Sequence, residues 1–213
     1  MTAFDLAEAT TRNRLRFADA VDALPEGRHD DLTLCDGWTV RVLTAHMLQP
    51  MTVGFFRFAV TSLRHRGDVD ATIDAIARRQ AQQPVAVLTS RLRSLADRQV
   101  SPPRVGPDGP FADTCIHLRD LARPLGLDAD VPLEHWRHLL DYFASSRVAP
   151  ALVPPHRVDR LALRATDQAW STGDGAEVAG RSEALAMALA GRTAALGELE
   201  GPGLAALTES LRS

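Results

Sequence analysis

Apolar positions in the first 150 residues recur at helical spacing, whereas those after residue 160 alternate in places with a period of two. Residues 3–24 carry Leu6, Leu15, Phe17, Val21 and Leu24 among charges, the one-sided stripe of an amphipathic helix, and Pro25-Glu26-Gly27 ends it. A second helix is expected to enter at Trp38-Thr39, with Asp36, Gly37 and Thr39 as suitable entry residues. It runs through Val42, Leu43, His46, Leu48, Phe55, Phe56, Phe58 and Leu63 to Arg66-Gly67. Pro50 falls inside this run, where it removes one hydrogen bond and crowds the preceding turn, so a kink or break belongs there. Helical patterns follow over 69–82 and 85–99. The stretch from Ser101-Pro102-Pro103 to Gly109-Pro110 reads as a loop, and a helix over 111–122 should stop near Arg123-Pro124, since the residue before proline disfavours helical geometry. One more amphipathic helix covers 132–145, opening at Pro132 and containing Trp136, Leu139, Leu140 and Phe143.

Beyond Pro150 the texture changes. Residues 160–166 alternate as a half-buried strand does. Trp170-Ser171-Thr172 and Ala176-Glu177-Val178 flank Gly173-Asp174-Gly175, which suits a hairpin because glycine accepts positive φ. Ser182 is placed to cap an alanine-rich helix over 183–190, and the chain ends helically around 203–211. The pattern therefore predicts a mainly α protein: a helical bundle over 1–148 followed by a small α/β domain over 155–213.

Composition narrows the class. Of 213 residues, 45% are apolar and 24% charged, enough to bury a core and too balanced for disorder. A net charge of −3 gives no general attraction to nucleic acid or to acidic membranes. All 24 basic residues are arginine, which with the many alanines points to a GC-rich genome. The two cysteines, Cys35 and Cys115, form no CxxC pattern and no disulfide framework, which fits a reducing cytoplasm. Charges at Asp5, Glu8 and Arg12 argue against a signal peptide, and no apolar run is long enough to span a bilayer.

The candidate chemistry lies in three places. Asp113 and His117 are four apart in an expected helix, so both project from one face. They suit either a shared metal ion or a solvated acid–base pair. His46 has apolar neighbours and reads either as a hydrogen-bonded core histidine or as a ligand. If His46, Asp113 and His117 converge, two imidazoles and a carboxylate make an open three-ligand site of the catalytic sort. His135 and His138 share a face but bring no third ligand, and Cys35 and Cys115 read as packing residues. Neither a Walker lysine nor a G-x-S-x-G elbow is present.

Three ordered blocks resemble one family. Leu34-Cys35-Asp36-Gly37-Trp38-Thr39-Val40-Arg41 with Leu43 to Leu48 is similar to the W-(S/T)-V-x-x-(L/V)-x-x-H-(L/M) entry of mycothiol-dependent maleylpyruvate isomerases. Asp113 through Gly126 is similar to that family's E-x-x-x-H-x-x-D signature with an Arg-Pro-Leu-Gly tail, and Leu163–Asp167, Trp170-Ser171, Gly173–Gly175 and Ala190–Arg192 resemble its C-terminal domain. The resemblance implies a DinB-like four-helix bundle holding a divalent metal, zinc, through His46, Asp113 and His117. The family commonly has Glu where this chain has Asp113, one methylene shorter. Asp120 would orient the ring of His117, and Arg192 would fork a substrate carboxylate.

The resemblance implies an enzyme that activates a low-molecular-weight thiol, mycothiol, for thiol-assisted isomerisation of a small electrophilic substrate or S-transfer to it. Composition adds a cytoplasmic location with no nucleic-acid or membrane partner, and a bundle with its own second domain suits a monomer or small homo-oligomer. Two other readings stand beside it: a non-catalytic DinB-like binding protein, which Asp113 keeps open, and a metal-dependent hydrolase that uses water.

Overall fold

A computed structural model of the protein describes residues 4–103 and 105–212, with Phe55 described by its backbone alone. The expected helix start at Ala3 lies outside the described residues. The chain forms two compact units, one of residues 1–101 with 113–130 and one of residues 102–112 with 131–213.

The first unit is helical. It comprises α1 (Leu6–Asp22), α2 (Val40–Met47), α3 (Gln49–Thr52), α4 (Phe55–Arg64), α5 (Val69–Gln80), α6 (Val85–Ser94) and most of α7 (Asp108–Leu125). Side-chain oxygens start three of these: Asp5 accepts from Glu8 N, Thr39 from Val42 N and Asp68 from Ala71 N. Helix α1 packs on α6, and α2 on α5 and α6, around buried Phe17, Val21, Leu43, Leu88, Leu92, Leu118 and Leu121. Arg14 is buried among them. Its guanidinium donates to the carbonyls of Ala96 and Arg98 at 2.9 and 2.8 Å, closing the exit from α6. Asn13 ties α1 to α7 through Thr114 Oγ1 at 3.1 Å.

Proline falls at or near three helix boundaries and sets the first. The single helix expected over 38–66 is three pieces, because Pro50 opens the short α3 and Gly54 precedes α4. Helix α7 begins at Asp108, earlier than the expected loop allowed. Pro110 sits in its first turn, where a missing N–H costs no intrahelical bond. At the other end α7 continues through Pro124 to Leu125 instead of stopping before it. The carbonyl of Asp120, which Pro124 has no N–H to meet, accepts the amide of Leu34 at 3.0 Å.

The second unit holds α8 (Leu133–Phe143), β1 (Leu161–Ala165), β2 (Ser171–Thr172), β3 (Ala176–Gly180), α9 (Ser182–Leu189), β4 (Leu199–Glu200) and α10 (Leu204–Ser210). Its sheet runs β2-β1-β3-β4, with β1 antiparallel to β2 and parallel to β3. The expected hairpin is thereby corrected: β2 and β3 are separated by β1. Gly173 and Gly175 carry the connection against the start of β1, where added Cβ atoms would lie 2.1 Å from Leu161 O and 1.8 Å from Arg160 O. They are needed for close passage more than for turn chemistry. Ala184 to Leu189 are all buried, so α9 is apolar on every side and packs against α8, β1 and β3. Its first turn is satisfied by Asp167, which accepts from Ser182 N at 3.0 Å and Oγ at 2.6 Å; Ser182 is the capped residue and not the cap.

Candidate metal centre

The site is built on a short loop ahead of α2. Leu32 and Thr39 form a β-bridge, and Thr33 Oγ1 donates to Trp38 O while it accepts from Cys35 N. Trp38 N closes a turn onto Cys35 O, with Gly37 at φ 68°, a left-handed position that glycine takes without strain. The bond from Leu34 N to Asp120 O pins this loop to α7.

The loop thereby delivers Cys35 to the inner face of α7. Cys35 Sγ lies 3.2 Å from Asp120 Oδ2 and 3.6 Å from His117 Nδ1, and His117 Nδ1 is 3.0 Å from Asp120 Oδ2. Asp120 is fully buried, and His117 is 9% exposed. Burial by itself would lower the pKa of His117. The neighbouring Cys35 and Asp120, through charge and hydrogen bonds, outweigh it and push the value up to about 10.

His46 approaches from α2, its ring centroid 4.8 Å from that of His117 and the planes nearly perpendicular. Trp38 stacks at a tilt on His46 with centroids 4.9 Å apart. The indole is held in place because Nε1 donates to Asp74 Oδ1 at 2.8 Å, and Arg78 grips the same carboxylate and Gly37 O. Burial pushes the Asp74 carboxyl up, but the hydrogen bonds from Arg78 and Trp38 carry it below its ordinary value.

Among the described residues, the metal-ligating groups whose donor atoms all lie within 4.8 Å of one another are Cys35, His117 and Asp120. Asp113, the carboxylate expected from the sequence, is half-buried one turn before His117 and is not in that group; its charge acts on Arg14. Arg192 lies in the second unit, after α9, where it donates to Ala190 O at 2.6 Å and its charge acts on Arg157. His138 is hydrogen-bonded to Asp108 at 2.7 Å, and His135 and His138 both edge against Phe111, so that pair joins α8 to the start of α7. Cys115 is buried beside Asn13, and burial pushes its thiol up; it is a core residue. Cys35 is not a mere packing residue, because it touches both His117 and Asp120. Its place in a loop hid it, since helical spacing gives no register there; its position three residues before Trp38 in the first block was the available signal.

The profile of the mycothiol maleylpyruvate isomerase N-terminal domain matches residues 11–143, which include the loop, His46 and all of α7. The chain belongs to that family. Two solved structures share the fold. One is the crystal structure of a mycothiol-dependent maleylpyruvate isomerase, with TM-score 0.58 and 14% identity, covering 95% of this chain and 96% of that one. The other is a histidine-to-alanine mutant of a mycothiol-dependent maleylpyruvate isomerase, with TM-score 0.56 and 13% identity over the same shares. The likeness extends through both units. No curated protein matches the chain. No helix of the described residues is long and apolar enough to cross a membrane.

Proposed function

We propose that the protein is a cytoplasmic, metal-dependent enzyme that activates mycothiol for isomerisation of a small electrophilic substrate or for S-transfer to it. The observation that carries this reading is the buried cluster around His117, lying within the stretch that matches the family. The donors fit a divalent ion of the zinc type: imidazole, thiol and carboxylate gathered in a largely buried site, with a second imidazole beside them. His117 would hold such an ion, and the family pattern adds His46 and Asp113 to it. A bound divalent cation lowers the pKa of a thiol at the site, so that thiolate is present at neutral pH.

The chain's own residues prepare that site. Asp120 fixes the orientation of the His117 ring through Nδ1. Trp38, braced by Asp74, fixes His46. By the family resemblance, Arg192 of the second unit would fork a carboxylate, for which a planar guanidinium is suited. The thiolate, as substrate, adds to an electrophilic carbon. On a conjugated double bond the addition permits rotation before the thiol leaves, and with other electrophiles the thioether stays.

The test is elemental analysis of the purified protein beside His46→Ala and His117→Ala, with turnover assayed with and without mycothiol. About one divalent ion per chain, lost from folded variants, together with turnover only when thiol is present, is the expected result. Turnover without thiol would make the protein a hydrolase. A folded protein that takes up no metal would make it a binding module.

A further inference from the structure

We propose that Asp74 of α5, oriented by Arg78, is a positioning residue for the metal centre: it sets the pose of Trp38, and through Trp38 that of the His46 imidazole. The inference rests on the metal-dependent reading above, with His46 among the ligands as the family pattern supplies them.

Asp74 and Arg78 lie one turn apart on α5, and Arg78 Nε donates to both carboxylate oxygens of Asp74, at 2.8 and 2.9 Å. From this pair two bonds reach the loop before α2. Asp74 Oδ1 accepts the indole N–H of Trp38 at 2.8 Å, and Arg78 Nη2 donates to the carbonyl of Gly37 at 3.1 Å. The backbone of one residue and the side chain of the next are thereby referred to a single turn of α5. An indole has one donor and no acceptor, so the group that meets its N–H decides how the ring is turned.

That ring lies against both histidines of the family pattern. Its centroid is 4.9 Å from that of His46, with the planes at 53°, and 6.5 Å from that of His117, with the planes at 34°. His46 is buried on α2, the helix that packs on α5. A ligating imidazole has to be held within about 0.5 Å and 10–20° of its working pose, by packing and by the groups behind it. A released indole would remove one of the surfaces that hold the His46 ring.

Exposure separates this role from a purely structural one. The side chains of Asp74 and Arg78 are 38% and 50% exposed, and an ion pair so exposed adds little to stability. Its contribution is direction, so removing it should change metal affinity more than it changes the fold.

The test compares the parent, Asp74→Ala, Asp74→Asn, Trp38→Phe and the double variant of Asp74→Ala with Trp38→Phe. Each is stripped of metal, unfolded with urea and titrated with zinc against a chromophoric chelator, and the indole N–H of Trp38 is followed by NMR. Asp74→Ala is expected to shift that resonance in the metal-free protein and to weaken zinc about tenfold, with the urea midpoint nearly unchanged. Asp74→Asn removes the charge but keeps an acceptor for the indole, and should bind zinc within about threefold of the parent. In Trp38→Phe, which keeps an aromatic face and loses the N–H, adding Asp74→Ala should weaken zinc little further. Equal weakening by Asp74→Asn and Asp74→Ala would overturn the inference, because loss of a nearby negative charge would then account for both. Zinc binding by Asp74→Ala as tight as the parent's would overturn it, and so would an equal effect of Asp74→Ala with and without the indole. A folded parent that takes up no zinc would overturn the metal-dependent function together with this inference.

Discussion

The amide of Leu34 donates to the carbonyl of Asp120 at 3.0 Å, at a position in α7 that Pro124 leaves without its helical donor. One proline thus connects the helix bearing His117 to the loop bearing Cys35. Replacing Pro124 with alanine restores a competing N–H to that carbonyl and should slacken the loop. Amide hydrogen exchange at Leu34 is expected to quicken in Pro124→Ala, while the last turn of α7 exchanges more slowly. Unchanged exchange at Leu34 would mean that the Thr33, Trp38 and Arg78 contacts hold the loop by themselves.

Asp120 is the fully buried anion of the cluster, with two polar neighbours that depend on it. Asp120→Ala removes the carboxylate partner of the buried His117 imidazole and of the Cys35 thiol, for which a loss of about 2–4 kcal/mol is expected. Asp120→Asn keeps an acceptor oxygen and should cost less in stability, yet reduce metal affinity at least about tenfold. Chemical unfolding of the metal-free proteins, followed by zinc titration, separates the two effects. Equal stability for parent and Asp120→Ala would show that the cluster contributes nothing to the fold.

A pH dependence follows from His117, whose folded value is raised from 6.5 to about 10. Because the folded state holds this proton more tightly than the unfolded chain, the stabilisation is complete below the unfolded value and is lost as pH rises through the folded one. The metal-free protein should therefore lose stability steadily between pH 6.5 and about 10, and His117→Gln should flatten that part of the profile. Metal uptake in the same range should release protons, which calorimetry in buffers of different ionisation enthalpy detects. Proton-neutral uptake would mean that the metal-free cluster carries no proton where the ion goes.

The helices of the first unit are legible because burial on one face leaves a 3.6-residue signature. What escaped detection depends on long-range partners. Cys35 reaches His117 and Asp120 on a loop whose Leu34 bonds to a carbonyl 86 residues away along the chain, and no local pattern encodes that. The rule for residues before proline is local, whereas Asp120 O finds its donor in a distant loop, so α7 runs past the expected stop. Helix α8 falls in the same compact unit as the sheet, packed on α9, although its amphipathic stripe is like those of the bundle helices. The stripe says that a face is buried and not against what. Gly173-Asp174-Gly175 reads as a turn between paired strands because hairpin chemistry and a close crossing past β1 require the same residues.

That last ambiguity has a direct test. A Cβ at Gly175 would sit 1.8 Å from Arg160 O and 2.0 Å from Arg160 C, backbone atoms fixed by the start of β1. The strand register has Leu161 opposite Ala176, directly after this glycine, so relief requires shifting the β1–β3 pairing itself. Gly175→Ala is expected to destabilise the second unit by about 3 kcal/mol or more, beyond the range of ordinary overpacking. Gly197→Ala, where a Cβ meets nothing within 4 Å, is the matched control and should be near neutral. Urea unfolding of both variants, with limited proteolysis to show which segment opens, gives the comparison. A Gly175→Ala protein as stable as the control would mean that β2 and β3 are joined by a freely adjustable turn and that the crossing past β1 is not tight.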